Sequence, residues 1–208
     1  MTDIVAEYYA SLQHAFAQGP PAQLSQVADA LLTAYLHRAQ VYTVGNGACA
    51  ALAAHMACDL GRAVSVPTGS GRNGLAARLR VTSLADNAAL VTANANDFLY
   101  EDVFVEQLRY RLDEQDVVIA MSCSGGSPNV LRTVDFARAC GALTIGFTGG
   151  SSRAADFAAR CDIAVRSAAV RMEQVEDMHV AFHHIVTLML RQRIRAHLAG
   201  PAPTVPST

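Results

Sequence analysis

The sequence has no excess of either charge, since its 16 Lys and Arg residues and 18 Asp and Glu residues leave a formal net charge of −2. A surface that binds nucleic acid needs clustered basic side chains. The longest basic cluster is Arg191, Arg193 and Arg195, whose spacing is typical of a solvated helix face. We therefore expect no nucleic-acid partner.

Features of secreted and membrane proteins are also lacking. The first residues contain no basic region followed by an apolar run, so we predict no signal peptide. No apolar stretch approaches the roughly 20 residues that span a bilayer. The five cysteines are odd in number and form no C-x-x-C pair, a pattern typical of reduced thiols. These absences predict a cytoplasmic protein without a membrane partner.

The 208 residues are 51% hydrophobic, and the apolar positions alternate between helical and strand spacing. Two helices are predicted within residues 3–38, joined at Gly19-Pro20-Pro21. Five short apolar runs predict buried strands. They lie near residues 40–45, 81–84, 116–121, 143–147 and 162–166.

Further helices are predicted between and after these strands. They lie near residues 48–60, 100–111, 128–140 and 175–198, with a short helix before residue 100. Strands that alternate with helices over short connections predict a doubly wound α/β fold with a mostly parallel sheet. We expect one domain over residues 1–200, including the helical N-terminal extension, and a disordered tail over residues 201–208.

Two strand-to-helix turns have the composition of a ligand site. Ligands of open parallel sheets bind beyond the carboxyl ends of the strands, where Gly45-Asn46-Gly47 and Ser122-Cys123-Ser124-Gly125-Gly126-Ser127 are expected. Glycine backbone and serine hydroxyls at a helix N-terminus can cradle a phosphate. The alternative is an ordinary Ser/Gly turn with a helix cap. Neither turn has the pattern of a nucleotide-binding loop.

Two pairs of titratable residues share helix faces. His55 and Asp59 are four residues apart on one predicted helix, and Glu176 and His184 are eight apart on the last one. If the helices meet, the set can bind zinc or another divalent ion, or move protons. The alternative is an exposed polar helix face. Three further residues of the last helix compete as candidates: Asp177, His179 and His183.

These features, in this order, resemble the sugar isomerase (SIS) domain, and specifically the phosphoheptose isomerases. The resemblance covers nearly the whole chain. It is carried by Gly45-Asn-Gly47, His55-Met-Ala-Cys-Asp59, Ala85-Asp86-Asn87, Asn96-Asp97, Ser122-Cys-Ser-Gly-Gly-Ser127, Thr148-Gly149, Glu176-Asp-Met-His179 and His184.

The resemblance implies roles for individual residues. Asp59 is expected to be the catalytic base and His184 the acid, although a metal-bound nitrogen of His184 could not also donate a proton. The residues that the resemblance implies in substrate and phosphate binding are Asn46, Gly47, Asp97, Ser122, Cys123, Ser124 and Ser127. The implied ligands of a divalent metal, zinc by expectation, are His55, Asp59, Glu176 and His184.

The resemblance also implies a reaction and an assembly. The reaction is the interconversion of sedoheptulose 7-phosphate and D-glycero-D-manno-heptose 7-phosphate through an enediol. The assembly is a homotetramer with active sites at subunit interfaces. Alternatives are an isomerase of another sugar phosphate and a non-catalytic relative that binds the replication initiator protein. A sugar-phosphate-sensing regulator would need a DNA-binding segment, and none is apparent.

The chain departs from the family pattern at four matched positions. Asp59 stands where the family typically has glutamate, and Glu176 where it has glutamine. Cys49 and Cys123 replace a serine and a threonine, and a thiol is a weaker hydrogen-bond donor than a hydroxyl. These replacements change the chemistry of the predicted site.

Overall fold

A computed structural model describes residues 3–63 and 78–199. Its centre is a five-stranded, fully parallel sheet with the strand order β2-β1-β3-β4-β5. The strands are β1 (Gln40–Val44), β2 (Arg80–Ser83), β3 (Val117–Ser122), β4 (Leu143–Thr148) and β5 (Ile163–Arg166). All six residues of the central β3 are buried, as expected for a strand that helices cover on both faces.

Eight α-helices accompany the sheet in the described residues, together with a 3₁₀ turn over Tyr100–Asp102. The first two helices form the predicted N-terminal extension, and the Asp3 side chain caps the first of them. The helices are α1 (Ile4–Ala17), α2 (Pro21–His37), α3 (Ala48–Ala63), α4 (Ala88–Asp97), α5 (Val105–Leu108), α6 (Pro128–Ala139), α7 (Ser152–Arg160) and α8 (Met172–Ala199). None of the helices in this part of the chain is long and apolar enough to cross a membrane.

The two faces of the sheet carry separate hydrophobic clusters. Val117, Ile119 and Met121 of β3 point to the cluster that contains the buried residues of α2, α3 and α8. Val118 and Ala120 point to the opposite cluster, with residues of α5 and α6. This alternation follows from the two-residue period of a strand. As a result, α3 and α8 pack against the same face of the sheet.

The predicted α/β fold with a parallel sheet is confirmed, and the five strands lie within one or two residues of their predicted bounds. The helix predicted over residues 100–111 is wrong, because the segment forms a 3₁₀ turn and the one-turn helix α5. Val103, Phe104 and Val105 are all buried, and three successive residues cannot share one face of a regular helix. The tail over residues 201–208 lies outside the described residues.

The helix α7 is absent from the sequence prediction. Ala154 and Phe157, the buried residues of the helix, lie three apart on one face, and this helical spacing is a signal that the prediction overlooked. A second signal is Ser151, whose hydroxyl caps the helix by accepting a hydrogen bond from the Ala154 N–H.

Candidate active site

The helices α3 and α8 run side by side in the same direction, because each begins at the carboxyl edge of the parallel sheet. Side chains early in α3 therefore meet side chains early in α8, and later side chains meet later ones. Cys49 of α3 lies near His179 of α8, and further along the helices His55 lies near His183 and His184. The pair of helices thus carries two groups of chemically active side chains, one nearer the sheet edge and one farther from it.

The group farther from the sheet edge, the histidine cluster, consists of His55, Asp59, His183 and His184. The Nε2 atoms of the three histidines lie 3.4, 3.3 and 3.5 Å from Oδ2 of Asp59, in the order His55, His183 and His184. Three imidazoles therefore approach a single carboxylate oxygen. The predicted residues His55, Asp59 and His184 meet here, and His183, which the sequence left as a competitor, joins them.

The histidine cluster has the dimensions of a divalent metal site. Zinc bonds to nitrogen and oxygen are about 2.0 to 2.2 Å long, which gives a tetrahedron with edges of about 3.4 Å. The three N···O separations of 3.3 to 3.5 Å match that edge. The donor set therefore fits a bound cation.

Burial, together with the neighbouring His184 and His55, lowers the pKa of His183 to about 4. In metal-free protein we expect stability to fall as the pH drops from about 6.5 towards 4, because the unfolded chain takes up this proton first. Urea unfolding across that range should show a smaller pH dependence in His183→Gln than in the wild type. Equal slopes in the two proteins would contradict this account of His183.

The serine turn, residues 122–127, connects β3 to α6 at the carboxyl edge of the sheet. Backbone N–H groups of Gly125 and Gly126 donate hydrogen bonds to the hydroxyl oxygens of Ser122 and Ser124, both at 3.2 Å. Each hydroxyl keeps its own proton for donation to an anion. The Ser127 side chain precedes α6 and makes no capping hydrogen bond. The turn can therefore offer three hydroxyl donors.

Asn46 ties the first glycine turn to the start of α6. Its amide forms two reciprocal hydrogen bonds with the amide of Asn129, at 2.7 and 2.9 Å. Gly47, the next residue, has a positive φ of 56°, a conformation that glycine adopts at little cost. This pairing holds the two predicted ligand-binding turns side by side.

A cavity of about 160 Å³, the serine pocket, opens between the two turns and α8. Glu176 lines it together with Cys49, Cys123 and the serine turn. Burial raises the pKa of Glu176, and the neighbouring Cys49 adds to the rise. Glu176 therefore lies beside the predicted phosphate site, and it is absent from the group of ligand atoms within 4.8 Å of one another at Asp59.

The two thiols of the serine pocket are linked. Sγ of Cys49 lies 3.3 Å from Sγ of Cys123, and both side chains are buried. A hydrogen bond from Cys123 lowers the pKa of Cys49 to about 5, whereas the same contact raises the pKa of Cys123.

Two residues complete the description of the site. Asp97 ends α4 at an exposed position, where its carboxylate accepts a hydrogen bond of 2.8 Å from the Asn96 side chain. Arg153 of α7, which the sequence analysis missed, lies directly against the serine turn. A Cβ atom placed on Gly126 would come 2.5 Å from Cδ and 3.0 Å from an Nη atom of Arg153. No motif marks Arg153, because only packing brings α7 to this turn.

Arg153 places a positive charge beside the predicted phosphate cradle. We expect Arg153→Gln to raise the KM for a sugar phosphate about tenfold with kcat nearly unchanged, since a charge-assisted hydrogen bond contributes about 1.5 kcal/mol. Steady-state kinetics test this, with Arg160→Gln at the other end of α7 as the matched control. An unchanged KM in Arg153→Gln would exclude a contact between Arg153 and the phosphate of the substrate.

Comparisons with known proteins identify the family of the chain. The SIS domain model matches residues 6–149. The phosphoheptose isomerase of Burkholderia pseudomallei strain K96243 is 32% identical over 173 residues, which cover 83% of both chains. The chain belongs to the SIS-domain family of phosphoheptose isomerases. The Rhodospirillum rubrum member is 33% identical over 149 residues, covering 71% of this chain and 73% of its own.

Solved structures of phosphoheptose isomerases have the same fold. The protein from Neisseria gonorrhoeae aligns with a TM-score of 0.78 and 23% identity, over 92% of this chain and 97% of its own. The protein from Francisella tularensis also aligns with a TM-score of 0.78, at 22% identity, over 92% and 100% of the two chains. At these identities the structures support the fold, and the sequence relatives carry the family assignment.

Proposed function

We propose that this family member is an aldose–ketose isomerase that interconverts sedoheptulose 7-phosphate and D-glycero-D-manno-heptose 7-phosphate. The observation that carries the proposal is the arrangement of two sites along one pair of helices. A turn rich in hydroxyl donors lies at the sheet edge, and a carboxylate surrounded by three imidazoles lies farther along α3 and α8. The first suits a phosphate, and the second suits proton transfer.

The separation of the two sites suits a long sugar. Cys49 at the serine pocket and His55 are six residues apart on α3, about 9 Å along the helix axis. An extended seven-carbon chain places its first carbon about 10 Å from a terminal phosphate, at about 1.25 Å for each bond. On the same count a hexose phosphate spans about 8.8 Å and a pentose phosphate about 7.5 Å. The helix spacing therefore favours a sugar of six or seven carbons over a pentose.

Asp59 is the proposed base that moves the proton between C1 and C2. All three imidazoles approach its Oδ2 atom, and Oδ1 would take the proton. His184 is about half exposed and is the proposed acid, with the alternative that it only binds metal. Ser122, Ser124 and Ser127, with Asn46, Gly47 and Cys123, would hold the phosphate, and Asp97 would bind the sugar.

His55, Asp59 and His184 are the proposed ligands of a divalent ion, zinc by preference, and His183 is a further donor. When bound, such an ion supplies a Lewis acid that polarises the sugar carbonyl. Glu176 remains a predicted ligand. It precedes His184 by eight residues, about 12 Å along the helix, so the two side chains would have to lean towards each other to share an ion.

A homotetramer with interfacial sites is the proposed assembly, and the cytoplasm the proposed location. An exposed apolar patch within the described residues supports an interface. The outer face of α1 exposes large apolar side chains, among them Ile4, Val5 and Tyr9. A cavity of about 550 Å³ beside Asp59 and His184 is bordered by Arg62, Arg191 and the exposed Leu188, so the histidine cluster opens onto a surface that is largely polar and basic.

The deciding experiment incubates purified protein with sedoheptulose 7-phosphate in deuterated water and follows the products by NMR, with and without a chelator. We expect aldose formation with deuterium at C2, lost on chelation and restored by zinc. Ketose phosphates one and two carbons shorter are the matched substrates and should turn over at least tenfold more slowly. No aldose under any condition would overturn the heptose assignment, and faster turnover of a shorter sugar would move the assignment to that sugar.

A further inference from the structure

A second group of metal-ligating side chains lies nearer the sheet edge than the histidine cluster. Cys49 comes from the first turn of α3, Cys123 from the serine turn and His179 from α8. The two sulfur atoms are 3.3 Å apart, and Sγ of Cys123 is 3.8 Å from Nδ1 of His179. One ligand atom from each residue lies within 4.8 Å of the others. Three separate elements therefore converge on one point.

This group is buried without strong hydrogen-bond partners. His179 is fully buried, its Nδ1 atom faces a thiol, and its Nε2 atom has no hydrogen-bond partner among the described residues. A thiol is a weak partner, and burying a polar group without a good hydrogen bond costs about 1 to 3 kcal/mol. An imidazole directed at two sulfur atoms gains far more from a shared cation than from either thiol.

The distances agree with a tetrahedral ion. Bonds of about 2.3 Å to sulfur and 2.0 Å to nitrogen give edges of about 3.7 Å between two sulfurs and about 3.5 Å between sulfur and nitrogen. The separations of 3.3 and 3.8 Å require shifts of only a few tenths of an ångström. Cys49 and Cys123 also line the serine pocket, so a fourth position would face that pocket.

We propose that Cys49, Cys123 and His179 form a second metal site, which takes a thiophilic divalent ion such as zinc and leaves its fourth position open to the serine pocket. Its two sulfur ligands distinguish it from the histidine cluster, which offers only nitrogen and oxygen. In the family pattern a serine and a threonine occupy the positions of Cys49 and Cys123. A bound ion would supply positive charge where those two hydroxyl donors are missing. The inference does not depend on which sugar the protein converts.

Cobalt titration of metal-free protein, kept reduced with a phosphine, tests the second site directly. Cobalt bound to thiolate gives a near-ultraviolet charge-transfer band, which the histidine cluster cannot produce because it contains no sulfur. We expect two cobalt equivalents for each wild-type chain, with the band present, and displacement of the band by zinc. A fully reduced wild type that binds cobalt without this band would overturn the proposal, and this readout needs no variant.

Substitutions show which residues produce the cobalt–thiolate band. Cys49→Ser and Cys123→Ser should each abolish it, whereas His55→Gln, which alters the other site, should keep it. Cys58→Ser, an exposed cysteine on the same helix as Cys49, is the matched control and should also keep it. Far-ultraviolet circular dichroism verifies the fold of each variant. A band that survives in Cys49→Ser/Cys123→Ser would come from other cysteines and would exclude this site.

Discussion

Asp59→Asn is expected to lower kcat about a thousandfold, within the range for removal of a general base. Asparagine has the same shape as aspartate but cannot accept the substrate proton. The binding of the phosphate should survive, since Asp59 lies about ten residues, or 15 Å, along α3 from Cys49 at the serine pocket. Turnover of sedoheptulose 7-phosphate, with KM from the same progress curves, gives the measurement.

Asp59→Asn also removes an anion from among three imidazoles, so loss of metal must be separated from loss of the base. Metal content measured on the same preparation makes this distinction. Asp59→Glu restores the residue typical of the family and is the matched control. It should keep measurable turnover, although a reach changed by about 1 Å can cost on the order of a hundredfold. A kcat for Asp59→Asn above a tenth of the wild-type value would exclude Asp59 as the base.

The sheet and the serine turn could be predicted because their signals are local. The run Val117–Ser122 is apolar and uninterrupted, as a strand buried on both faces requires. The Ser/Gly-rich turn follows it immediately, and Pro128 marks the start of α6. A parallel sheet with helices on both faces follows from such units repeated along the chain.

The composition of the histidine cluster depends on long-range packing that a single sequence does not encode locally. His183 and His184 are adjacent, about 100° apart around α8, so only the position of α3 determines which of them meets Asp59. Both do, with one buried and one half exposed. Glu176 was grouped with them from helix periodicity and from the family resemblance. It lines the serine pocket, and its role as a metal ligand stays a prediction.

The position of Arg153 also depends on long-range packing and could not be predicted from the sequence. Arg153 reaches the serine turn only because α7 packs beside that turn. The pairing of Cys49 with Cys123 likewise joins residues 74 positions apart. The family pattern shows that Cys49 and Cys123 replace a serine and a threonine. It does not show that the two sulfur atoms are in direct contact.

Gly125→Ala is expected to cause the largest loss of stability among substitutions in the serine turn. Gly125 has a φ of 69°, and a Cβ atom there would lie 2.6 Å from Cα of Ala154 and 2.7 Å from the Arg153 carbonyl oxygen. The conformational cost is about 1 to 2 kcal/mol, and overpacking against backbone adds about 1 to 3 kcal/mol. The turn would have to move away from α7, and its hydroxyl groups would move with it.

Gly47→Ala separates these two costs. Gly47 has a φ of 56°, yet a Cβ atom there would meet nothing within 4 Å, so only the conformational cost of about 1 to 2 kcal/mol applies. Urea unfolding should therefore show Gly125→Ala less stable than Gly47→Ala by about 1 to 3 kcal/mol. Equal losses in the two variants would mean that α7 does not hold the serine turn in place. The contact between Gly125 and Ala154 would then be too loose to position the phosphate donors.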